Sequence, residues 1–312
     1  MSKLLSRPWI GAYVGAIAIW LATIAFTQGQ GAGEVLTAAL SFATFSVLVA
    51  IGQMYVITLG PGNVDLSIPA TMTLAGAASM KIMDGADPMI VPGLLIALGC
   101  GAGVGIFNYA LIRLLRIPPI IATLSSSFVV LSAAISYSRG IRIKPPALLG
   151  DFTTWIVWGV PVLAVAGVML TVLMSIVLHR TVFGRTVTAI GQNPRAARLA
   201  GLPVDRVRFL TYVMCGVFAG LTGYLVSGFS GGAALNMGSE YLLASIAVVV
   251  IGGTSVAGGF ANLPGLWGAA MLLFLLVTML NTYGFGAGIR LVLTGVIIIT
   301  VIVLASGRKS TS

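Results

Sequence analysis

The stretch HRTVFGRTVTAIGQNPRAARLAGLPVDRVR, residues 179–208, lies between two long apolar runs and carries six arginines and one acid. Most of the remaining chain avoids charge. Positive loops that flank hydrocarbon-length segments stay on the cytoplasmic side of a membrane, because positive residues resist translocation. The stretch therefore predicts a cytoplasmic loop between two membrane-spanning helices.

The same loop contains the signals of a short helix. Asn193 suits the N-cap and Pro194 the first helical position, while residues 195–200 favour helix propagation. Gly201 can adopt the left-handed conformation that ends a helix, just before Pro203. The loop therefore predicts a pre-formed helix on the cytoplasmic side.

Composition indicates a polytopic membrane protein. Hydrophobic residues make up 58% of the chain and charged residues 8%, and the mean hydropathy is +1.07, so the polar surface is too small to coat a soluble globule. The net charge of +10 comes from residues at segment ends and in one loop, which favours membrane orientation over nucleic-acid binding. Cys100 and Cys215 lie far apart in apolar runs and indicate neither a disulfide nor a metal site.

A bilayer core of ~30 Å needs about 20 apolar residues per helix, and about ten segments are candidates. They are residues 9–27, 36–59, 66–80, 89–113, 119–137, 155–178, 209–229, 240–257, 264–282 and 288–305. The N-terminal run resembles a secretory signal, but it is long and TQGQGAGE (27–34) lacks a clear cleavage site, so we interpret it as a retained first span.

Ten spans give a consistent orientation. Starting from a cytoplasmic N-terminus, the count places most basic residues inside: Lys3, Arg7, Arg113, Arg116, the loop 179–208, Arg308 and Lys309. One loop argues the other way, since the count places Arg139, Arg142 and Lys144 outside. The inside loops carry more positive residues in total, which favours cytoplasmic N- and C-termini.

Two regions interrupt the apolar spans. The break at 60–63 separates the second and third spans, and glycine pairs at 252–253 and 258–259, followed by Pro264, interrupt the eighth and ninth. Non-helical backbone at membrane depth is tolerated only inside protein or beside a wet cavity, so both breaks are candidates for a pathway. Their weak similarity suggests two related halves.

The chain lacks the residue patterns that would hydrolyse ATP or couple transport to a proton gradient. Its single histidine, His179, falls in the loop, and no phosphate-binding glycine motif, nucleophile elbow or metal-ligand cluster is present. Acidic residues fall mostly in short connections: Glu34, Asp84, Asp87 and Asp151. An intramembrane enzyme or proton-coupled carrier would need such groups at membrane depth. Uphill transport would therefore take its energy from another polypeptide.

A few polar residues lie near the breaks. Asp65 or Ser67 could cap the third span, and Asp65 could alternatively contact a hydroxylated solute. Asn108 could bond between helices or face a cavity. The hydroxyls at Thr123, Ser125, Ser126 and Ser127 could bond the preceding helical turn or a solute, and Glu240 is a boundary residue of the eighth span.

Four passages together resemble the permeases of ribose-type, or monosaccharide-type, ATP-binding cassette importers. The passages are GPGNVDLSIPA (60–70), GVGIFNYALIRLLRIPPIIATLSS (103–126), FGRTVTAIGQNPRAARLAGLPVDRVRF (183–209) and SEYLLASIAVVVIGGTSVAGGFAN (239–262). The resemblance implies two permease subunits docked on cytoplasmic ATPase subunits and fed by a soluble binding protein. It also implies that the loop helix fits a groove on the ATPase.

The residue patterns and the resemblance together suggest two roles. ATPase coupling falls to Arg185, Gly191, Asn193, Pro194, Arg195, Ala196, Ala197, Arg198, Leu199, Ala200 and Gly201. The translocation pathway falls to Asn63, Asp65, Ser67, Asn108, Thr123, Ser125, Thr254 and Ser255.

This chain departs from the family pattern near the first break. Pro61 and Asn63 replace Gly and Ile, with one added residue before Val64, while Pro69 and Tyr109 stand where the family has Gly. These departures leave the identity of the transported sugar undetermined. They also suit a subunit that pairs with a second, non-identical permease. Co-purification of a single permease type with the ATPase would contradict that pairing.

The sequence thus predicts an all-α permease, one domain over residues 1–312, with residues 179–208 as its coupling loop in a bacterial cytoplasmic (inner) membrane. It would form part of the pathway for a small hydrophilic solute, and a sugar is the expected solute. ATP would be bound by the partner subunit, and no cofactor or metal is expected in this chain. The alternative is a secondary transporter or channel that works alone, which would need a coupling-ion site or a filter.

Overall fold

The structure, a computed structural model, describes residues 8–138 and 144–284 and the positions 286, 288–289, 292–293 and 295–296. Its helices are α1 (Pro8–Phe26), α2 (Ala32–Thr58), α3 (Ile68–Met83), α4 (Ile90–Leu114), α5 (Pro119–Ser138), α6 (Ala147–Thr154), α7 (Val162–Arg180), α8 (Val182–Gln192), α9 (Pro194–Leu199), α10 (Val204–Phe229), α11 (Tyr241–Ile251) and α12 (Pro264–Thr282). A 3-10 turn (Asp87–Met89) precedes α4, and strands β1 (Ile156–Val157) and β2 (Val160–Pro161) form a hairpin before α7.

Seven of the described helices, α1, α2, α4, α5, α7, α10 and α12, are long and apolar enough to cross a membrane. The predicted all-α polytopic class is therefore confirmed. The predicted number of ten spans is not confirmed, because α3 and α11 have only 16 and 11 residues. Most of the tenth segment, 288–305, lies outside the described residues, as do Lys3, Arg7, Arg139, Arg142, Arg308 and Lys309.

The sixth predicted span was wrong at its start. Residues 155–161 are apolar but form the hairpin, and α7 begins only at Val162. Trp158 and Gly159 have φ of 54° and 78°, so two consecutive left-handed residues turn the chain between β1 and β2. β-branched residues such as Ile156 and Val160 fit strands as well as helices, which explains the error.

Helix α10 lies at the centre of the bundle and packs on α2, α3 and α4. Its contact with α4 depends on missing side chains, since a Cβ on Gly101 would overlap the backbone of Gly216 and one on Gly105 would lie 2.5 Å from the Tyr212 carbonyl oxygen. Gly99 and Gly103 face open space on the other side of α4. Close packing through glycine therefore occurs on one face of α4.

Contacts show which helix ends lie together. Arg113 lies 3.2 Å from Asp205. Tyr13 Oη donates to the Pro264 carbonyl over 2.8 Å, and both residues line one groove with His179 and Arg180, so all of them share the end that carries the loop 179–208. We call this the arginine-rich end. At the opposite end, Thr37 Oγ1 donates to the Gly159 carbonyl over 2.7 Å. This arrangement agrees with the predicted alternation of the spans.

Candidate functional site

Helix α9 begins at a side-chain cap. Asn193 Oδ1 accepts hydrogen bonds from the backbone N–H groups of Arg195 and Ala196, both over 3.0 Å. Pro194, which has no N–H to satisfy, is the first helical residue. The predicted N-cap is confirmed.

Helix α9 ends at Leu199 through a glycine stop. Gly201 has φ of 78°, its N–H donates to the Arg198 carbonyl over 3.1 Å, and the Leu202 N–H donates to the Ala197 carbonyl over 3.1 Å. This pair of bonds is the Schellman arrangement, which satisfies the last carbonyls of a helix. The predicted left-handed stop is confirmed, and the helix is fixed at both ends by local bonds.

The surface of α9 is almost entirely exposed. Ala197 is its one buried residue, whereas Leu199 is 91% exposed and Arg195, Ala196 and Arg198 are also exposed. Arg198 lies 3.5 Å from Asp205, and both side chains are largely solvated, so this ion pair contributes little to stability. The exposed side chains of α9 are therefore available for contact with another protein.

Helix α8 precedes α9 and was not predicted. Its N-cap is Thr181, whose Oγ1 accepts the Gly184 N–H over 3.2 Å. The buried positions Thr186, Val187 and Ile190 follow helical spacing, and this pattern in the sequence could have predicted the helix. Arg185 lies on the exposed side of α8.

The end of α8 contacts both breaks. A Cβ on Gly191 would overlap the Thr58 carbonyl oxygen and lie 2.9 Å from the Gly259 Cα. The Gly259 N–H donates to the same Thr58 oxygen over 3.0 Å, and a Cβ on Gly258 would lie 2.7 Å from the Gly60 nitrogen. We call this meeting of Thr58, Gly60, Gly191, Gly258 and Gly259 the glycine junction.

A buried polar cluster surrounds the first break. Asp65 is 1% exposed, and its Oδ1 accepts from the Ser67 N–H over 2.8 Å and from Ser67 Oγ over 2.6 Å. Asn108 Nδ2 lies 3.3 Å from each carboxylate oxygen and donates to Ser67 Oγ over 2.8 Å. The carboxylate therefore holds the turn that leads into α3, whereas Ser67, the N-cap residue of α3, makes no side-chain bond to the first helical turn, so the predicted cap is not observed.

Three further side chains complete this cluster. Ser126 Oγ donates to Asn108 Oδ1, and Thr123 Oγ1 accepts the Leu66 N–H over 3.0 Å. Gln53, near the end of α2, binds the Asp65 backbone twice, accepting from its N–H over 3.1 Å and donating to its carbonyl over 3.3 Å. Gln53 was not predicted, because its partner lies across the break.

The chain matches the family model of the branched-chain amino acid transport system permease component over residues 35–304. It belongs to this permease family. It is therefore a multi-pass transport protein, as predicted, and one component of a larger transport system. As a permease component, it is not an enzyme.

The chain aligns over most of its length with import permeases of other bacteria. The ribose import permease protein RbsC of Bacillus subtilis (strain 168) is 31% identical, over 84% of this chain and 81% of its own length. The autoinducer 2 import system permease protein LsrD of Photorhabdus temperata is 29% identical, over 78% and 74%. RbsC of Escherichia coli (strain K12) is 28% identical, over 86% and 85%. No solved structure matches the chain significantly.

The predicted pathway residues of the permease fall into three places. Asp65, Ser67, Asn108 and Thr123 lie in the buried cluster, and Asn63, 5% exposed, is linked to Tyr212 over 3.2 Å at its edge. The second break holds Thr254 and Ser255: Thr254 Oγ1 accepts the Asn262 N–H over 3.2 Å, and the Ser255 N–H donates to the Phe260 carbonyl over 3.0 Å. Ser125 is exposed on the outer face of α5, whereas its neighbour Ser126 belongs to the cluster.

Proposed function

We propose that this permease is the transmembrane subunit of an ATP-binding cassette importer for a small hydrophilic solute, and that a separate ATPase subunit docks on α9. The observation that carries the proposal is the placement of α9. It presents an exposed Leu199 outward, and only Gln192 and Asn193 separate it from Gly191 in the glycine junction. A displacement of α9 by the ATPase subunit therefore reaches both broken segments through only a few residues.

A sugar is the solute class that the chemistry favours. Apart from Asp65, whose carboxylate is already bonded to Ser67 and Asn108, the polar side chains at the two breaks are amides and hydroxyls. The two salt bridges found among the described residues both involve Asp205, away from the breaks. An uncharged polyol needs such neutral partners and no counter-ion, and weak contacts let it leave. The names of the relatives, ribose and autoinducer 2 import permeases, agree with this class.

The remaining parts of the system follow from this assignment. The arginine-rich end faces the cytoplasm, where the ATPase subunit binds the ATP that this chain does not bind. The opposite end receives solute from a soluble binding protein, and a second permease subunit, identical or homologous, completes the pathway. The protein then resides in a bacterial cytoplasmic membrane as a single domain, with residues 179–208 as its coupling loop.

The test replaces Leu199 with Glu and measures co-purification of the ATPase subunit together with solute uptake. The substitution replaces an apolar contact with a carboxylate that must lose its water on docking, so the affinity for the ATPase should fall at least about fivefold and uptake should fall with it. Leu199→Met is the conservative control. Unchanged association and uptake in a Leu199→Glu protein that inserts normally would contradict the docking role.

A further inference from the structure

A groove of about 580 Å³ opens on the side of the bundle between α1, α7 and α12. Its walls include Tyr13, Val168, Val172, Ile176, Trp267 and Met271. Val168, Val172 and Ile176 are each roughly half exposed, at 46%, 54% and 51%. In a membrane these side chains meet hydrocarbon, so the groove is open to the lipid phase.

The length of the groove matches one leaflet. Val168, Val172, Ile176 and Arg180 recur every four residues and form one stripe along α7. Arg180 lies twelve residues beyond Val168, which at ~1.5 Å per residue is about 18 Å. Half of a ~30 Å hydrocarbon core plus the start of the headgroup layer has a similar depth.

Polar atoms along the groove are already paired within the protein. Trp267 Nε1 donates to Thr171 Oγ1 over 3.0 Å, and Thr171 Oγ1 donates to the Gly167 carbonyl over 2.8 Å. Tyr13 Oη donates to the Pro264 carbonyl. The walls therefore present an apolar surface to an occupant, as an acyl chain requires.

The groove ends in positive charge at the arginine-rich end. Arg180 and His179 are both exposed there, and neither salt bridge among the described residues includes Arg180. His179 Nδ1 donates to the Ser175 carbonyl over 2.9 Å, so this ring is bonded to its own helix and the guanidinium is the group left for a ligand. An unneutralised guanidinium at headgroup depth is a site for phosphate oxygens.

We propose that this groove binds an anionic glycerophospholipid of the leaflet at the arginine-rich end, with acyl chain along Val168, Val172 and Ile176 and phosphate at Arg180. Charge complementarity favours this occupant over the apolar helix of a second permease copy, which would leave Arg180 unpaired at the contact. The site does not depend on the transported solute.

The experiment titrates the purified full-length permease with dioleoyl phosphatidylglycerol or dioleoyl phosphatidylcholine and counts retained lipids by native mass spectrometry. Wild-type protein should retain phosphatidylglycerol preferentially. Because one arginine near a membrane surface contributes about 1 kcal/mol, Arg180→Gln should weaken phosphatidylglycerol binding about fivefold and change phosphatidylcholine little. Val172→Trp should fill the groove and weaken both lipids.

Arg206→Gln is the matched control, since Arg206 is an exposed arginine of the same loop outside the groove, and it should leave lipid retention unchanged. Equal retention of the two lipids by wild-type protein would overturn the proposal. So would unchanged phosphatidylglycerol binding in both Arg180→Gln and Val172→Trp. A Val172→Trp protein that keeps its lipid but loses a dimer would assign the groove to a second copy.

Discussion

Gly259 donates its backbone N–H to the carbonyl oxygen of Thr58 over 3.0 Å, so the second break is hydrogen-bonded directly to the end of α2, where the first break begins. Gly191 lies against the same carbonyl oxygen. Two interruptions that are almost 200 positions apart in the chain therefore share one acceptor, and the end of α8 closes over it. Rigid backbone contacts of this kind transmit displacement, because packed elements shift between discrete arrangements and do not deform continuously.

Gly191→Ala should separate the three segments of the glycine junction. The added Cβ would overlap the Thr58 carbonyl, a backbone atom that cannot rotate away, and overpacking of this kind costs about 1–3 kcal/mol. We expect lower solute uptake and a lower temperature of thermal unfolding in detergent. Gly99→Ala is the control, because that position faces open space. Wild-type uptake and stability in Gly191→Ala would show that the junction tolerates displacement.

The ends of α9 were predictable from sequence because they depend on local bonds. Asn193 bonds residues two and three positions ahead, and Gly201 supplies a backbone angle of its own. The glycine junction was not predictable, since a glycine does not reveal which distant backbone it touches. Gln53 was equally hidden: an amide in an apolar run gives no indication that it pairs with the backbone of Asp65 across a break.

The separation of Ser125 from Ser126 shows a similar limit. The hydroxyl-rich start of α5 indicated a polar face, but which serine turns inward depends on the rotation of α5 against α3 and α4. That rotation is set by side-chain packing with other helices and not by the sequence of α5 alone. Long periodic helices such as α12, predicted at 264–282 and observed there, required no such information.

Asp65→Asn should destabilise the buried cluster. The amide would place a donor opposite Asn108 Nδ2, itself a donor, where a carboxylate oxygen now accepts. Loss of buried hydrogen bonds to a charged group costs about 1.5–3 kcal/mol. Thermal unfolding in detergent should therefore occur at a lower temperature than for wild type. Ser125→Ala removes an exposed hydroxyl from the adjoining helix and should leave the unfolding temperature unchanged; an equal effect of the two variants would refute the cluster's contribution.

Asn193→Ala should loosen the start of α9. It removes the acceptor of two backbone N–H groups in a six-residue helix, at a cost of about 1 kcal/mol. Hydrogen–deuterium exchange should be faster in the peptide 193–201. Asn193→Asp retains the acceptor and should exchange like wild type. If Asn193→Ala also exchanges like wild type, packing on Ala197 and not the cap holds the helix.

Gly101→Ala should disrupt the packing of α4 on α10, whereas Gly103→Ala should be tolerated. A Cβ on Gly101 would overlap the backbone of Gly216, while nothing lies within 4 Å of one on Gly103. The two substitutions add the same methyl group to the same helix, so they differ only in the neighbouring surface. Size-exclusion chromatography in detergent should show loss of the monodisperse species for Gly101→Ala alone. Comparable profiles would mean that the two helices can separate without penalty.

The orientation of the permease can be tested with two cysteines at opposite ends. Leu199 is 91% exposed at the arginine-rich end, and Trp158 is 99% exposed in the hairpin that bonds Thr37 at the other end. If positive residues hold the arginine-rich end in the cytoplasm, a membrane-impermeant maleimide should label Trp158→Cys in intact spheroplasts and Leu199→Cys only after permeabilisation. A Cys100→Ala background removes the half-buried native thiol, and Cys215 is buried. Expression without the ATPase subunit keeps Leu199→Cys accessible. Labelling of Leu199→Cys in intact spheroplasts would reverse the assigned orientation and move the ATPase docking surface to the hairpin end.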